Sequence, residues 1–120
     1  MNFKRGNIYY FKLPKISNES HIQSGMRPCL VVSNDFNNRF APLLTVIPIT
    51  TSLAKNKLPT HVSFSDADIT GSLTLRHSTF LCENIMQIDK DCIAQHATTT
   101  RISHELLCGV ESAMRVQLGL

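Results

Sequence analysis

Alternation of apolar and polar side chains is the first signal along the chain. Asn7-Ile8-Tyr9-Tyr10-Phe11-Lys12-Leu13 concentrates aromatic and branched residues and stops at Pro14, which predicts a strand. A polar loop follows over residues 15–25. Arg27-Pro28 then leads into Cys29-Leu30-Val31-Val32-Ser33, whose nearly continuous apolar character predicts a strand buried on both faces. Asn34-Asp35-Phe36-Asn37-Asn38 reads as a turn or loop. A third apolar run covers 43–49 and contains Pro48, which cannot donate to a ladder and so points to a strand end, an edge or a bulge. His61-Val62-Ser63-Phe64 alternates as a fourth strand, and residues 66–71 carry turn chemistry. Residues 78–84 and 92–98 are further short strand candidates, with the polar Asp89-Lys90-Asp91 between them.

Helical periodicity is confined to the C-terminus. Leu106, Leu107, Val110, Ala113, Met114 and Leu118 recur at three- and four-residue spacing, Ser103 stands where a cap belongs, and Glu105 favours the helix dipole. Gly109 inside this pattern costs about 1 kcal/mol relative to alanine. Short strands separated by turns and closed by one helix predict a mostly β fold, a small curled antiparallel sheet or barrel with a C-terminal helix. At 120 residues this is one domain, 1–120, with no repeat or linker.

Composition changes this picture little: 42% hydrophobic and 18% charged residues belong to an ordinary folded domain. The longest apolar runs are far shorter than the ~20 residues that cross a bilayer, and the basic N-terminus lacks the apolar stretch of a signal peptide, so a cytoplasmic location and no membrane partner are expected. Charge is unevenly spread. Residues 1–65 hold eight Lys/Arg against two acids, a balance of +6, and residues 66–120 hold four against seven, a balance of −3. The basic half can supply a patch for a polyanion, or simply a solvated surface. Cys29, Cys82, Cys92 and Cys108 lie in apolar surroundings without the short paired spacing of a zinc site, and read as buried free thiols.

No phosphate-binding glycine loop, nucleophile elbow or HExxH occurs, and His21, His61, His77, His96 and His104 are dispersed. His104 and Cys108 are four apart on the expected helix, but two ligands make no metal site, and a partly buried pair is the plainer reading. No metal or other cofactor is expected. Without a protein nucleophile, one reaction class remains well served. Cleavage of RNA can use the substrate's own 2′-hydroxyl, and then needs only a positioned proton acceptor or donor and stabilisation of the developing charge, which Arg, Thr, Ser and Asn can give.

Five segments in order carry a family resemblance. Lys4-Arg5-Gly6-Asn7-Ile8-Tyr9-Tyr10, Gly25-Met26-Arg27-Pro28-Cys29-Leu30-Val31-Val32-Ser33-Asn34-Asp35, Val46-Ile47-Pro48-Ile49-Thr50-Thr51, Leu58-Pro59-Thr60-His61-Val62 and Ile88-Asp89-Lys90 together resemble the MazF/PemK family of toxin endoribonucleases from type II toxin-antitoxin modules. The resemblance implies a small SH3-like barrel, an architecture shared with CcdB-like toxins, and homodimers. It also implies metal-independent, sequence-selective cleavage of single-stranded RNA to 2′,3′-cyclic phosphate and 5′-hydroxyl ends, and neutralisation by a cognate antitoxin. The family's catalytic Arg and Thr fall on Arg27 and Thr50. A guanidinium ahead of the rigid Pro28 suits a phosphate that gains charge in the transition state, and a strand-end hydroxyl can bond the same group.

Around that pair, Ser33, Asn34, Asn38, Arg39, Thr51, Lys55, Lys57, Ser78 and Asn84 are candidate RNA contacts, the cations positioning the backbone without reading bases. The sequence departs from the family before Gly25, where Asn18-Glu19-Ser20-His21-Ile22-Gln23-Ser24 replaces a shorter Gly-Ser-Glu-Gln; Glu19, His21 and Gln23 there, and His77 further on, are additional candidate site residues. His77 stands where an Asp is frequent. In Leu81-Cys82-Glu83-Asn84-Ile85-Met86, Asn84 and Met86 replace Gln and Arg, which bears on sequence preference. A CcdB-like gyrase poison of the same fold, or an inactive RNA-binding or antitoxin-binding homologue, are the alternatives.

Overall fold

The computed structural model describes residues 2–15, 24–51, 58–71, 77–94 and 100–120. Strands β1 (Asn7–Leu13) and β2 (Gly25–Val31) form an antiparallel pair with Tyr9 opposite Cys29 and Phe11 opposite Arg27. A short helix α1 (Asp35–Phe40) connects to β3 (Leu43–Thr50), followed by β4 (His61–Phe64), β5 (Ile69–Gly71), β6 (Ser78–Leu81), β7 (Met86–Asp89), β8 (Thr100–Ile102) and helix α2 (His104–Leu118). The order across the sheet is β4-β6-β3-β2-β1-β8-β5, with β7 paired to β3, and each pairing is antiparallel. This is the mostly β, curled sheet with a C-terminal helix that the pattern predicts.

The apolar runs of β1, β2 and β3 are nearly continuous because both faces of these strands are buried. Ile8, Leu30, Ile47, Ile49, Phe64 and Phe80 turn to one face and pack with Val110 and Ala113 of α2. Tyr9, Phe11, Cys29, Val31, Leu44 and Val46 turn to the other, where Phe3 and Ile88 close a second core. Period-2 alternation therefore sorts side chains between two cores rather than between core and solvent.

Pro48 lies inside β3, where the sequence suggests an end, edge or bulge. Residues 43–46 of β3 pair with β7 and residues 49–50 pair with β6, so the residue without an N–H falls between two ladders on that edge. The segment expected as a turn after Ser33 is helix α1. The Asn34 side chain caps it by accepting the Asn37 N–H at 2.8 Å, Asp35 opens the first turn, and Arg39 closes the last, each suiting the dipole. Buried Asn38 ties the helix down: its Nδ2 donates to the Ser33 carbonyl at 2.8 Å and to Asp35 Oδ1 at 3.2 Å, while the Ser33 hydroxyl meets its Oδ1 and accepts the Thr45 N–H at 3.0 Å.

Three further expectations shift. Strand β5 occupies the end of the 66–71 turn region, and β7 replaces the polar separator at 89. Residues 90–92 form a single 3-10 turn and Ile93 only bridges Phe11, with residues 95–99 outside the described set. Of the four thiols, Cys29 and Cys82 are buried, Cys92 is intermediate and Cys108 is exposed, its Sγ 3.6 Å from His104 Nε2, so that pair is a surface contact rather than a half-buried one. Ser103 caps α2 as expected, accepting the Leu106 N–H at 3.1 Å, and Gly119 ends it with φ of 71°. Among the described residues no helix is long and apolar enough to cross a membrane.

Candidate functional site

The register of β2 against β3 assembles the site. Cys29 faces Pro48, Leu30 faces Ile47 and Val31 faces Val46; Arg27 and Thr50 each lie two residues past the Cys29–Pro48 pair and, by alternation, on the same face of the sheet. Thr50 is in turn opposite Thr79 of β6, and Thr79 is opposite Ser63 of β4. Directly opposed residues share a face of an antiparallel sheet. Thr50, Thr79 and Ser63 therefore form one row of hydroxyls across two strand pairs, and Arg27 lies on the same face of β2, two residues past the Cys29–Pro48 pair. The Ser63 and Thr79 hydroxyls lie 3.3 Å apart. The row runs on the face away from α2, beyond the end of the second core.

Local backbone chemistry holds Arg27 in place. Gly25 takes φ of 82°, open to glycine at little cost, as the chain enters β2. Arg27 Nε donates to the Ser24 carbonyl at 3.1 Å, which fixes the plane of the half-buried guanidinium and leaves its terminal nitrogens as the donors for a ligand among the described residues. Burial pushes the Cys29 thiol up to about 12, opposed by the positive charge of Arg27. Burial likewise pushes Cys82 up to about 12, with the Glu83 carboxylate adding to the rise. Neither thiol is a nucleophile near neutral pH.

Two residue pairs further along β4 and β6, and so on the same face, His61 stands opposite Leu81. Its Nε2 lies 2.7 Å from Glu83 Oε2, and its Nδ1 accepts the Leu58 N–H at 3.2 Å. The ring proton is therefore on Nε2 and points to the carboxylate. Glu83 Oε1 accepts from the Thr60 hydroxyl at 3.3 Å, and the Thr60 carbonyl accepts the Cys82 N–H at 3.0 Å. This knot fixes the turn between β6 and β7 that carries Asn84, whose own N–H bonds the Leu81 carbonyl at 2.9 Å. Glu83 is absent from the candidates drawn from sequence; its place in the Leu81-Cys82-Glu83 segment was the available signal.

The expected contacts are distributed unevenly. Thr51 is exposed next to Thr50, half-buried Asn84 sits in the adjoining turn, and His77 is exposed just ahead of β6. Ser78 is fully buried and shares the α2-side face of its partner Phe64, so it does not join the hydroxyl row. Ser33, Asn34 and Asn38 are spent on bracing α1, and Arg39 stacks its guanidinium 5.3 Å from the Phe40 ring centre. All four lie beyond the opposite end of β2; six residues of strand put Ser33 roughly 20 Å from Arg27. Lys55, Lys57, Glu19, His21 and Gln23 lie outside the described residues. Among the described residues, no three His, Cys, Asp or Glu side chains gather where they could hold a metal ion.

Comparison with known proteins gives the family and the fold. The profile of PemK-like, MazF-like toxins of type II toxin-antitoxin systems matches residues 4–118. The chain is 39% identical over 121 residues to the endoribonuclease EndoA of Bacillus subtilis strain 168, covering 100% of this chain and 97% of that protein. It is 29% identical over 117 residues to the endoribonuclease MazF of Staphylococcus epidermidis, covering 98% and 92%. Among solved structures, MazF from Deinococcus radiodurans shares the fold with a TM-score of 0.75 at 21% identity, covering 100% of this chain and 99% of that one. A mycobacterial endoribonuclease in complex with its cognate antitoxin shares it with a TM-score of 0.73 at 23% identity, covering 98% and 95%.

Proposed function

Because the chain belongs to the PemK-like, MazF-like toxins of type II toxin-antitoxin systems, we propose that it is a sequence-selective endoribonuclease that cuts single-stranded RNA, mRNA in the cell, without a metal ion. The observation that supports this reading is that Arg27 and Thr50 lie on one face of the sheet, each two residues past the Cys29–Pro48 pair. In the reaction the 2′-hydroxyl of one nucleotide attacks the adjacent phosphorus, the bond to the 5′-oxygen breaks, and a 2′,3′-cyclic phosphate and a 5′-hydroxyl result. Arg27 supplies fixed positive charge and directed donors to the phosphate oxygens as a second negative charge develops. Thr50 donates its hydroxyl to the same phosphate. The substrate provides the nucleophile, which agrees with two buried thiols held protonated by burial.

Charge supports a polyanionic substrate, since the half of the chain that contains Arg27 and Thr50 carries a balance of +6. The same excess of positive charge suits an antitoxin with an acidic, partly disordered segment that folds over the RNA path, and a homodimer would extend that path across two copies. Incubation of a long single-stranded RNA with the protein and with Arg27→Ala in excess EDTA tests the assignment. Cuts at a recurring short motif are expected from the parent protein, with a loss of at least about 100-fold in the variant, the order seen when one transition-state donor is removed. An Arg27→Ala protein with an unchanged circular dichroism spectrum and full cleavage removes Arg27 from the mechanism.

A further inference from the structure

Glu83 places a negative charge on the face that, in the reading above, receives a polyanion. Its side chain is 27% exposed, and the His61 ring beside it is 7% exposed. The His61 ring accepts the Leu58 N–H at Nδ1 and meets the carboxylate through Nε2, so the contact fixes the Glu83 side chain in place. The carboxylate is oriented from both sides: Thr60 Oγ1 bonds Oε1 and His61 Nε2 bonds Oε2. A fixed carboxylate repels phosphate. It accepts hydrogen bonds from the amino groups that bases carry on their pairing edges, as Glu and Asp accept from cytosine N4.

Resting on the endoribonuclease reading, we propose that Glu83, held by Thr60 and His61 on the face shared with Thr50, is a specificity-determining residue that receives the amino group of one base beside the cleaved phosphate and disfavours uracil at that position. Uracil presents two carbonyl oxygens flanking a single N–H and sets acceptor against acceptor; adenine, cytosine and guanine each offer an amino group. The position is suitable. His61 lies two residue pairs, about 7 Å, along the strands from the Ser63 and Thr79 row, within reach of a base next to a phosphate held by Arg27 and Thr50.

The test is cleavage of an RNA library randomised around the cut site, with the products sequenced, by the parent protein, Glu83→Gln and Thr60→Val. The parent protein is expected to select against uracil at one fixed position. Glu83→Gln, which keeps the shape but exchanges an acceptor for a donor, is expected to shift the ratio of uracil to amino-bearing bases at that position by about 5- to 100-fold and leave the other positions alone. Thr60→Val keeps the carboxylate and loosens it, so a smaller shift at the same position is expected. An unchanged preference at every position, or a uniform fall across all sequences, overturns the proposal and leaves His61 and Glu83 as a structural brace. Should Glu83→Gln fail to fold, Thr60→Val decides on the same criterion. A parent protein that cuts no member of the library overturns the endoribonuclease reading itself, and this assignment with it.

Discussion

Arg5 and Asp35 show how single residues hold the fold at the end of the sheet away from the site. The Arg5 N–H donates to Asp35 Oδ1 at 2.8 Å, its Nε to the Val32 carbonyl at 3.1 Å, and its Nη2 to Glu111 Oε2 at 2.7 Å, so one residue joins α1, the residue that follows β2, and α2. The Arg5 N–H is the main reason the Asp35 carboxyl titrates below its usual range. A carboxyl lowered on folding contributes stability above its unfolded pKa, near 3.9, and that contribution is lost as pH falls through the folded value. Asp35→Asn, which keeps an acceptor but cannot titrate, is therefore expected to show a lower Tm at neutral pH and a shallower fall in Tm below about pH 4. Parallel Tm curves for variant and parent would contradict the assignment. At this scale the sequence was legible only in part. Arg27 and Thr50 stand out through a motif, whereas Glu83 depends on His61 and Thr60 reaching it from another strand, a relation that no local spacing records. Ser78 and Asn38 are polar residues whose burial depends on tertiary partners, so residue type alone suggests exposure.

Elements with a long periodic pattern were readable, and short ones were not. Helix α2 spans His104–Leu118, enough turns for its apolar stripe and its Ser103 cap to agree. Helix α1 has six residues, too few to establish a period, and its Phe36 and Phe40 are exposed, so the fold is set by Asn34, Asn38 and Ser33 instead. Strand β7 has only Met86 and Ile88 as apolar residues and exists because β3 offers it an edge. Gly109 is a local weakness within α2. Its φ is not positive, and a Cβ there would meet Val62 Cγ1 at 3.9 Å, an ordinary contact. Gly109→Ala is expected to stabilise the protein by about 1 kcal/mol, visible as a higher urea midpoint with an unchanged slope. A lower midpoint would mean that α2 cannot accommodate the added methyl against β4.

For the whole molecule, two cores on opposite faces of one curled sheet explain both the sequence pattern and the location of the site. One core is closed by α2 and the other by Phe3, β7 and the turn after it, and Arg27 and Thr50 lie where the second core ends. The fold class was legible because so many side chains must alternate between these cores, which gives runs of apolar residues broken by turns. The order of strands across the sheet was not, because β3 divides its edge between β6 and β7 around Pro48, a tertiary arrangement. The central claim is that the RNA supplies its own nucleophile to a phosphate held by Arg27 and Thr50. The most direct measurement compares an all-RNA oligonucleotide containing the preferred cut site with the same strand carrying a single 2′-deoxy nucleotide on the 5′ side of the cut. The account predicts cyclic-phosphate and 5′-hydroxyl ends from the first and no cleavage of the second; equal cleavage of both would contradict it.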